Sequence, residues 1–369
     1  MSWSAEINPH ETIKKVNFET DSGIPCKREV HSCTTRDNHT LIMQRCLASP
    51  TAKTDKKPLH RHSVILCHGF ASNRFTFDLN PDVSVPDYLA RKGWDTWLVE
   101  LRGSGNNKNT GDNACKTKCD AGETHFTHQH EEHESVHFDD HVEDCRAMIE
   151  YISRITRKPV HFIGHSMGAM LLQCCAGGES GQLGLIQSGV SIAGSLQMPE
   201  SAWKNVRWML PLIIPFQTIH PEHIQKVLAP MSFRIDSPWD ELFFHQKNVK
   251  NEVARDMFRK NWEPISTTLI NQLQTCFNVT GVVTKDNKAY ISSLSSINFS
   301  MLLIAGSVDE QCPASCMEKI SPFIHGSTYK LIGKQSGHKE DYGHFDLIVG
   351  HNAKSDVWDM VCRFLERNE

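Results

Sequence analysis

Residues 164–168, with the sequence GHSMG, are the part of this chain best suited to nucleophilic chemistry, because they place a serine between two glycines. An apolar β-forming stretch, residues 160–163, precedes it, and residues 169–176, which lack Pro and Gly, should continue as a helix. A serine at a sharp strand-to-helix turn needs small neighbours, which explains a glycine two residues to either side. The helix would point its unpaired N–H groups at a developing oxyanion. The pattern predicts Ser166 as a nucleophile, and the alternative is a β-to-α turn that contains a serine by chance.

Two further residues could complete a hydrolytic triad with this serine. Asp309 follows an apolar stretch, residues 300–306, and could orient an imidazole. The adjacent Glu310 is an alternative, and Asp309 could instead cap the next helix. His344 precedes the last predicted helix and would act as the general base. Because the chain has 21 histidines and His338 lies nearby, residue type alone does not select it.

An oxyanion hole is predicted from two backbone N–H groups, those of Phe70 and Met167. Phe70 belongs to the tripeptide His68-Gly69-Phe70, which directly follows the apolar stretch 63–67. A glycine at that point would let the backbone approach a substrate closely. Removing one such donor typically lowers the rate on the order of 10²–10³-fold. A simple turn after a strand is the alternative.

Strand-like and helix-like stretches alternate along most of the chain. Continuous apolar strands are typical of parallel sheets covered by helices on both faces, and the alternation indicates an α/β, mostly parallel, doubly wound sheet. The predicted strands are residues 28–35, 40–47, 63–67, 96–101, 160–163, 189–194, 300–306 and 328–332, and the predicted helices are 85–92, 138–155, 169–176, 222–228, 249–260 and 354–366.

The alternation is interrupted over residues 196–296, which are richer in Pro and Trp. We predict an inserted helical cap here, lying over the carboxyl edge of the sheet, where open α/β folds bind ligands. The core would then comprise residues 1–195 and 297–369, with a His/Cys-rich loop insertion at residues 106–137. The apolar stretch 208–216 could form a lid and an acyl-binding wall, or could simply pack the cap onto the sheet.

Composition excludes several classes of protein. Of the 369 residues, 39% are hydrophobic and 22% charged, which is ordinary for a globular enzyme, and a net charge of −4 gives no support for binding nucleic acid. The longest apolar run, residues 208–216, contains two prolines and is too short to span a bilayer. The N-terminus lacks a leader pattern and the 13 cysteines are odd in number, so we expect reduced thiols and a cytoplasmic protein.

A segment rich in histidine and cysteine could bind zinc or copper. Cys115 and Cys119 are followed by His133, His137 and His141, which stand four residues apart and could line one helix face. Glutamates are interleaved among these histidines, and the cysteine spacing is looser than in structural zinc sites. We therefore expect a solvated polar loop, with no metal and no other cofactor.

The chain resembles the α/β-hydrolase superfamily, and within it the lipase and esterase branches that share features with acid lipases and polyhydroxyalkanoate synthases. The resemblance extends from about residue 64 to the C-terminus. It implies that Ser166, Asp309 and His344 are nucleophile, orienting acid and base, in the chain order of that superfamily's triads, and that Phe70 and Met167 supply the oxyanion N–H groups. The motifs that carry it are HGF at 68–70, FDL at 77–79, YLARKGWDTW at 88–97, ELRGSG at 100–105, GHSMG at 164–168 and YGHFD at 342–346.

The synthases of that group use a cysteine nucleophile, whereas this chain has Ser166, which favours ester hydrolysis over polymerisation. We expect a serine hydrolase that cleaves a small-molecule or lipid ester with an apolar acyl chain, through an acyl-enzyme intermediate. An acyltransferase and a catalytically silent ligand-binding homologue are the alternatives. Amidases, thioesterases and carbon–carbon hydrolases would use the same triad. Oligomeric state and association with a membrane surface stay open.

Overall fold

Nine strands of the described chain form one sheet, in which the most apolar stretches of sequence occupy the centre. The computed structural model describes residues 13–15, 27–48, 59–107, 135–177, 184–209, 218–219 and 238–369. The strands are β1 (Ile13–Lys15), β2 (Arg28–Thr34), β3 (Thr40–Cys46), β4 (Val64–Cys67), β5 (Thr96–Val99), β6 (Val160–His165), β7 (Ile186–Ile192), β8 (Ser300–Gly306) and β9 (Ser327–Ile332). Their order across the sheet is β1-β2-β3-β5-β4-β6-β7-β8-β9.

The pairing divides the sheet into an antiparallel edge and a parallel body. Strands β1, β2, β3 and β5 pair antiparallel in turn, and β5, β4, β6, β7, β8 and β9 pair parallel. Strands β4, β5 and β6 are buried at every position, as a strand covered on both faces must be. The chain passes from β4 to β5 on one side and then to β6 on the other. The carboxyl ends of β4 and β6 therefore meet where an open α/β sheet binds its ligand.

The helices cover both faces of the sheet. They are α1 (Val85–Arg91), α2 (Phe138–Thr156), α3 (Met167–Ala176), α4 (Pro238–Phe243), α5 (Asn251–Lys260), α6 (Thr267–Leu273), α7 (Ala314–Ile320), α8 (Asp346–Val349) and α9 (Asp359–Arg367), the last preceded by a π-helical turn, Lys354–Trp358. Successive residues of β4 alternate between two apolar clusters: Ile65 packs with α2 and α3, and Leu66 packs with α1 and α9.

The α/β fold class predicted from the sequence is confirmed, and the predicted strands match the observed ones within a few residues. The structure adds helix α6 and a two-residue pairing between Thr218–Ile219 and Ile265–Ser266, neither of which the sequence indicated. The predicted helix 222–228 lies outside the described residues. The boundaries of the cap at 196 and 296 stay a prediction, although the described chain between β7 and β8 is largely helical. None of the helices described is both long and apolar enough to cross a bilayer.

The cysteines only partly follow the expectation of reduced thiols. Nine of those in the described chain are free and buried. Cys46 is disulfide-bonded, so the expectation is wrong at that position. The sequence argument for a reducing compartment is correspondingly weaker, and a cytoplasmic location stays a prediction.

A buried ion pair joins α2 to the loop after β5. Arg102 Nε donates to Asp144 Oδ1 at 2.8 Å, and the Arg102 backbone N–H donates to Asp144 Oδ2 at 2.9 Å. The same guanidinium contacts Asp37 in the β2–β3 turn at 2.6 Å. Burial alone would raise the pKa of Asp144, but the hydrogen bond from His141 and the charge of Arg102 outweigh it, and the pKa is lowered. Its stabilisation is therefore present at neutral pH and lost as the pH falls.

We predict that Asp144→Ala lowers the free energy of unfolding by about 3–5 kcal/mol, because it leaves Arg102 buried without its main partner. The matched control is Glu150→Ala on the same helix, which breaks an ion pair with Arg36 whose side chains are 43% and 63% exposed. A surface pair of this kind contributes about 0–1 kcal/mol. Urea unfolding at neutral pH measures both variants. Equal losses would show that the buried pair does not anchor α2.

Candidate active site

Ser166 occupies the turn between β6 and α3 in a conformation that few residues adopt. Its backbone angles are φ 56° and ψ −122°, in the positive-φ region that non-glycine residues enter at a cost of about 1–3 kcal/mol. The backbone is held there because the Ser166 N–H donates to the Ile192 carbonyl at 2.8 Å and the Ser166 carbonyl accepts the Ala169 N–H at 3.0 Å. The hydroxyl makes no capping bond to α3. This leaves the hydroxyl available for chemistry.

The two glycines of GHSMG are required by close contacts between backbones, as the sequence suggested. A Cβ on Gly168 would lie 2.3 Å from the carbonyl oxygen of Cys67, and a Cβ on Gly164 would lie 2.3 Å from that of Gly168. Neither distance can be tolerated, so any larger residue would push α3 away from the ends of β4 and β6.

Asp309 and His344 form a direct hydrogen bond, buried from solvent. His344 Nδ1 lies 2.8 Å from Asp309 Oδ2, and the two residues are 2% and 4% exposed. Asp309 Oδ1 accepts the N–H groups of Gln311 and Cys312, both at 2.9 Å. One carboxylate oxygen therefore caps the turn before α7, while the other orients the imidazole. Because Nδ1 donates to Asp309, the other ring nitrogen of His344, Nε2, is left with a free lone pair.

The alternatives that the sequence left open lie elsewhere. No ion pair between Glu310 and His344 is formed within the described chain, and the Glu310 backbone carbonyl accepts the Ala202 N–H at 2.8 Å. His338 Nδ1 lies 3.2 Å from the carbonyl of Gly333, in the loop after β9. The geometry therefore favours Asp309 and His344 over these neighbours.

The backbone N–H groups of Phe70 and Met167 are the two donors that the sequence predicts for an oxyanion hole. Neither donates a hydrogen bond to another group of the described chain. Gly69 brings the first of them into place, because a Cβ there would lie 2.7 Å from Ser166 Cβ and 3.2 Å from Ser166 Oγ. Both N–H groups therefore lack an acceptor within the described chain, and their use as an oxyanion hole stays a prediction.

His68 fixes the peptide that carries the Phe70 N–H. Its Nε2 accepts the Leu101 N–H at 3.3 Å, so its Nδ1 carries the proton and donates to the Gly69 carbonyl at 2.9 Å. That carbonyl and the Phe70 N–H belong to one trans peptide and point in opposite directions. Burial lowers the pKa of His68 to about 4, which keeps the ring in this neutral form at physiological pH. His68 belongs to the HGF motif, but nothing in the sequence predicted this role for its side chain.

Ser166 and His344 line one cavity of about 180 Å³, together with the two residues predicted for the oxyanion hole. Most of the wall is apolar, and seven of its residues come from positions 196–296, the predicted cap. No Lys, Arg, Asp or Glu is among the lining residues of the described chain. They are Phe70, Ser166, Met167, Met170, Ala193, Gly194, Met198, Trp203, Ile270, Leu273, Gln274, Cys276, Phe277, Gln311, Cys312 and His344.

Only the end of the histidine- and cysteine-rich segment, from residue 135 onward, lies within the described residues. Cys115, Cys119 and His133 lie outside the described residues. His137 is the residue before α2, and His141 is buried inside α2 with Nδ1 3.4 Å from Asp144 Oδ2. Since the helix begins at Phe138, His137 does not share a helix face with His141, and that part of the hypothesis is wrong. The part that involves His133 stays untested. Within the described ranges, no cluster of three or more His, Cys, Asp or Glu is arranged to hold a metal ion.

Comparison with known proteins agrees with this architecture. Residues 62–212 match the family model described as alpha/beta hydrolase fold. The chain is 26% identical over 147 residues to triacylglycerol lipase 2 of Arabidopsis thaliana, covering 39% of this chain and 32% of that protein. It is 28% identical over 171 residues to lipase 1 of Drosophila melanogaster, covering 43% and 34%. The chain thus spans about a third of the length of these relatives.

Solved structures extend the likeness of fold to most of the chain. An esterase from Exiguobacterium antarcticum superposes with a TM-score of 0.58 at 12% identity, covering 91% of this chain and 98% of that one. A monoacylglycerol lipase of Paleococcus ferrophilus superposes with a TM-score of 0.55 at 12% identity, covering 89% and 99%. At such identities the superpositions bear on the fold alone.

We predict that Gly69→Ala lowers kcat for a p-nitrophenyl ester on the order of 10²–10³-fold, because the new methyl group forces the Phe70 N–H away from Ser166. The matched control is Gly184→Ala, where an added Cβ meets nothing within 4 Å. Circular dichroism of both variants verifies the fold. A Gly69→Ala protein with the kcat of the parent would show that this peptide does not serve the reaction.

Proposed function

We propose that the chain is a serine hydrolase of the α/β-hydrolase superfamily, whose family model matches residues 62–212, and that it cleaves carboxylic esters with apolar acyl chains. The observation that carries this proposal is the cavity shared by Ser166 and His344, with His344 bonded to Asp309 at 2.8 Å. A nucleophile, a base and an acid that orients the base are the three groups that acyl transfer needs.

In the proposed reaction, Ser166 Oγ attacks the ester carbonyl while His344 Nε2 takes its proton. Asp309 accepts the Nδ1–H bond throughout, which keeps the imidazole in the correct tautomer and stabilises the imidazolium. His344 then protonates the departing alcohol, and an acyl-Ser166 ester remains. Water activated by His344 attacks that ester, releasing the carboxylic acid and restoring the serine.

The N–H groups of Phe70 and Met167 would stabilise the tetrahedral intermediates. Met167 is the first residue of α3, so its N–H has no partner within the helix and lies at the positive end of the helix dipole. His68 donates a hydrogen bond to the Gly69 carbonyl and so restrains the peptide that carries the other donor, the Phe70 N–H. Such preorganised donors supply much of the rate enhancement in acyl-transfer enzymes.

The cavity supports an apolar acyl group rather than a charged one. Its wall is built from Met, Phe, Leu, Ile and Trp side chains, with Gln274 and Gln311 among the polar ones. Burying a carboxylate or an ammonium against such a wall is costly, because no opposite charge is among the described lining residues. The lipase names of the curated relatives agree with a substrate of this class.

The first test is labelling with a fluorophosphonate probe, which reacts with activated serines. We predict that the parent protein is labelled, that Ser166→Ala is not, and that Ser166→Ala loses ester hydrolysis while remaining folded. Ser315→Ala is the control, because Ser315 is exposed and bonded to Glu200, outside the cavity. Labelling of a folded Ser166→Ala protein would contradict the proposal.

The preference for an apolar acyl group is tested by comparing kcat/KM for p-nitrophenyl esters of different acids. We expect kcat/KM for p-nitrophenyl octanoate to exceed that for the acetate, because each methylene buried contributes about 0.8 kcal/mol. An octanoate that carries a terminal carboxylate should be the poorest substrate of the three. A preference for the charged ester would contradict an apolar acyl site, and formation of a new ester on addition of an alcohol would point to acyl transfer.

A further inference from the structure

The backbone around His344 is held by three hydrogen bonds, two of which join it to distant parts of the chain. The N–H of the preceding glycine donates to Asp346 Oδ2 at 2.9 Å, and the N–H of the following phenylalanine donates to the Phe243 carbonyl at 3.0 Å. The His344 carbonyl accepts the Nε2–H of His165 at 3.1 Å. Burial and the nearby His344 ring lower the pKa of His165 well below its usual value, against the opposing effect of the hydrogen bond to the His344 carbonyl, so His165 stays neutral. The peptides on both sides of His344 are thus fixed, by Phe243 and His165 from distant parts of the chain and by Asp346 from within the loop.

Asp346 joins this loop to a second segment, residues 242–248. Asp346 Oδ2 also accepts Asn248 Nδ2 at 2.9 Å, and Oδ1 lies 3.3 Å from the backbone N–H of His245. The Asp346 side chain is fully buried, and burial raises its pKa to about 6 against the opposing effect of these donors. A buried carboxylate with three N–H donors restrains all of them at once, and the bonds to Asn248 and to the Gly343 N–H are buried away from water as an alternative partner.

The same segment also contacts the loop of the acid. Gln311 Nε2 donates to the Leu242 carbonyl at 3.0 Å, while the Gln311 backbone N–H donates to Asp309 Oδ1 at 2.9 Å. The ring of Phe244 packs against Phe345, with centroids 5.6 Å apart. Residues 242–248 therefore lie against both the acid loop and the base loop.

We propose that Asp346 is a positioning residue, whose carboxylate fastens the His344 loop to residues 242–248 and so sets the position of the imidazole relative to Ser166. The inference rests on the proposed function, in which His344 moves the proton. Residues 242–248 belong to the predicted cap, and the bond through Asp346 makes the alignment of the base depend on how that part of the cap is seated. A displacement of about 1 Å at a reacting group costs on the order of 10²-fold in rate.

Two variants test the proposal from its two ends. Asp346→Asn keeps the shape of the side chain but places an NH₂ group against at least one N–H donor. Asn248→Ala removes a single donor from the segment and leaves the other two bonds of Asp346 intact, and circular dichroism verifies that this variant is folded. We expect kcat to fall on the order of 10- to 100-fold for Asp346→Asn, and by a smaller factor for Asn248→Ala, with KM for an apolar ester little changed.

The control variant is Asp359→Asn. Asp359 also accepts a tertiary hydrogen bond, from Tyr88, but it does not contact the His344 loop. It reports what the loss of a carboxylate acceptor does to stability alone. We expect its kcat to equal that of the parent once the protein is shown to be folded at the assay temperature.

A second readout is independent of turnover. The proton between His344 Nδ1 and Asp309 gives a far-downfield ¹H resonance, which Asp309→Asn identifies by removing it. We expect Asp346→Asn to shift or broaden this resonance, and Asp359→Asn to leave it unchanged. An unchanged resonance together with parental kcat in both Asp346→Asn and Asn248→Ala would overturn the inference.

The proposed function can fail separately. If the parent protein is neither labelled by the fluorophosphonate nor active on esters, the hydrolase assignment is contradicted. If the parent is active and the Asp346→Asn and Asn248→Ala variants match it in kcat and in the resonance, the hydrolase assignment stands and the positioning role of Asp346 is wrong. If Asp346→Asn does not fold, Asn248→Ala decides the outcome through kcat and the resonance.

Discussion

The structure depends on how closely backbones can approach one another around Ser166. The residue sits at φ 56°, and the strained turn persists because β4, β6 and β7 converge on it with almost no space between them. A Cβ on Gly194 would lie 2.1 Å from the Ser166 carbonyl oxygen, just as the glycines of GHSMG admit no side chain. Ala71 and Ala193, which flank the same site, also have positive φ values of 54° and 51°. Strain of this kind is tolerated only where the surroundings determine the conformation several times over.

Around that fixed turn, Asp309 and His68 each make hydrogen bonds to two different parts of the chain. Asp309 divides its oxygens between the start of α7 and His344, and His68 holds one peptide by accepting from Leu101 and donating to Gly69. These assignments follow from hydrogen-bond accounting, because a buried polar group without a partner is costly. The result is a site whose donors and acceptors are oriented before any substrate binds, which is what electrostatic preorganisation requires.

The sequence was sufficient for the parts of the site that are local. GHSMG with its flanking strand and helix predicts the turn at Ser166, and the apolar strands predict a buried parallel sheet. It was insufficient wherever contacts join residues far apart in the chain. From the sequence, Asp309 and Glu310 are equally good candidates for the acid. Only the folded arrangement of the 309–312 turn, which places Asp309 against His344, distinguishes them. The bond between Asn248 and Asp346 spans 98 positions and leaves no trace in local periodicity. The motif YGHFD did contain a signal for Asp346, since a carboxylate two residues after a candidate base needs hydrogen-bond donors if the loop is buried.

We propose that Ser166 and His344 act as one unit, and a double-mutant cycle tests this proposal most directly. The rate constants for ester hydrolysis would be measured for Ser166→Ala, His344→Ala and the double variant, with each protein shown to be folded. If the two residues share one proton transfer, either single variant loses nearly all of the acceleration, and the double variant is no slower than the slower single one. Losses that multiply in the double variant would contradict the account, because they would mean that the two side chains contribute independently.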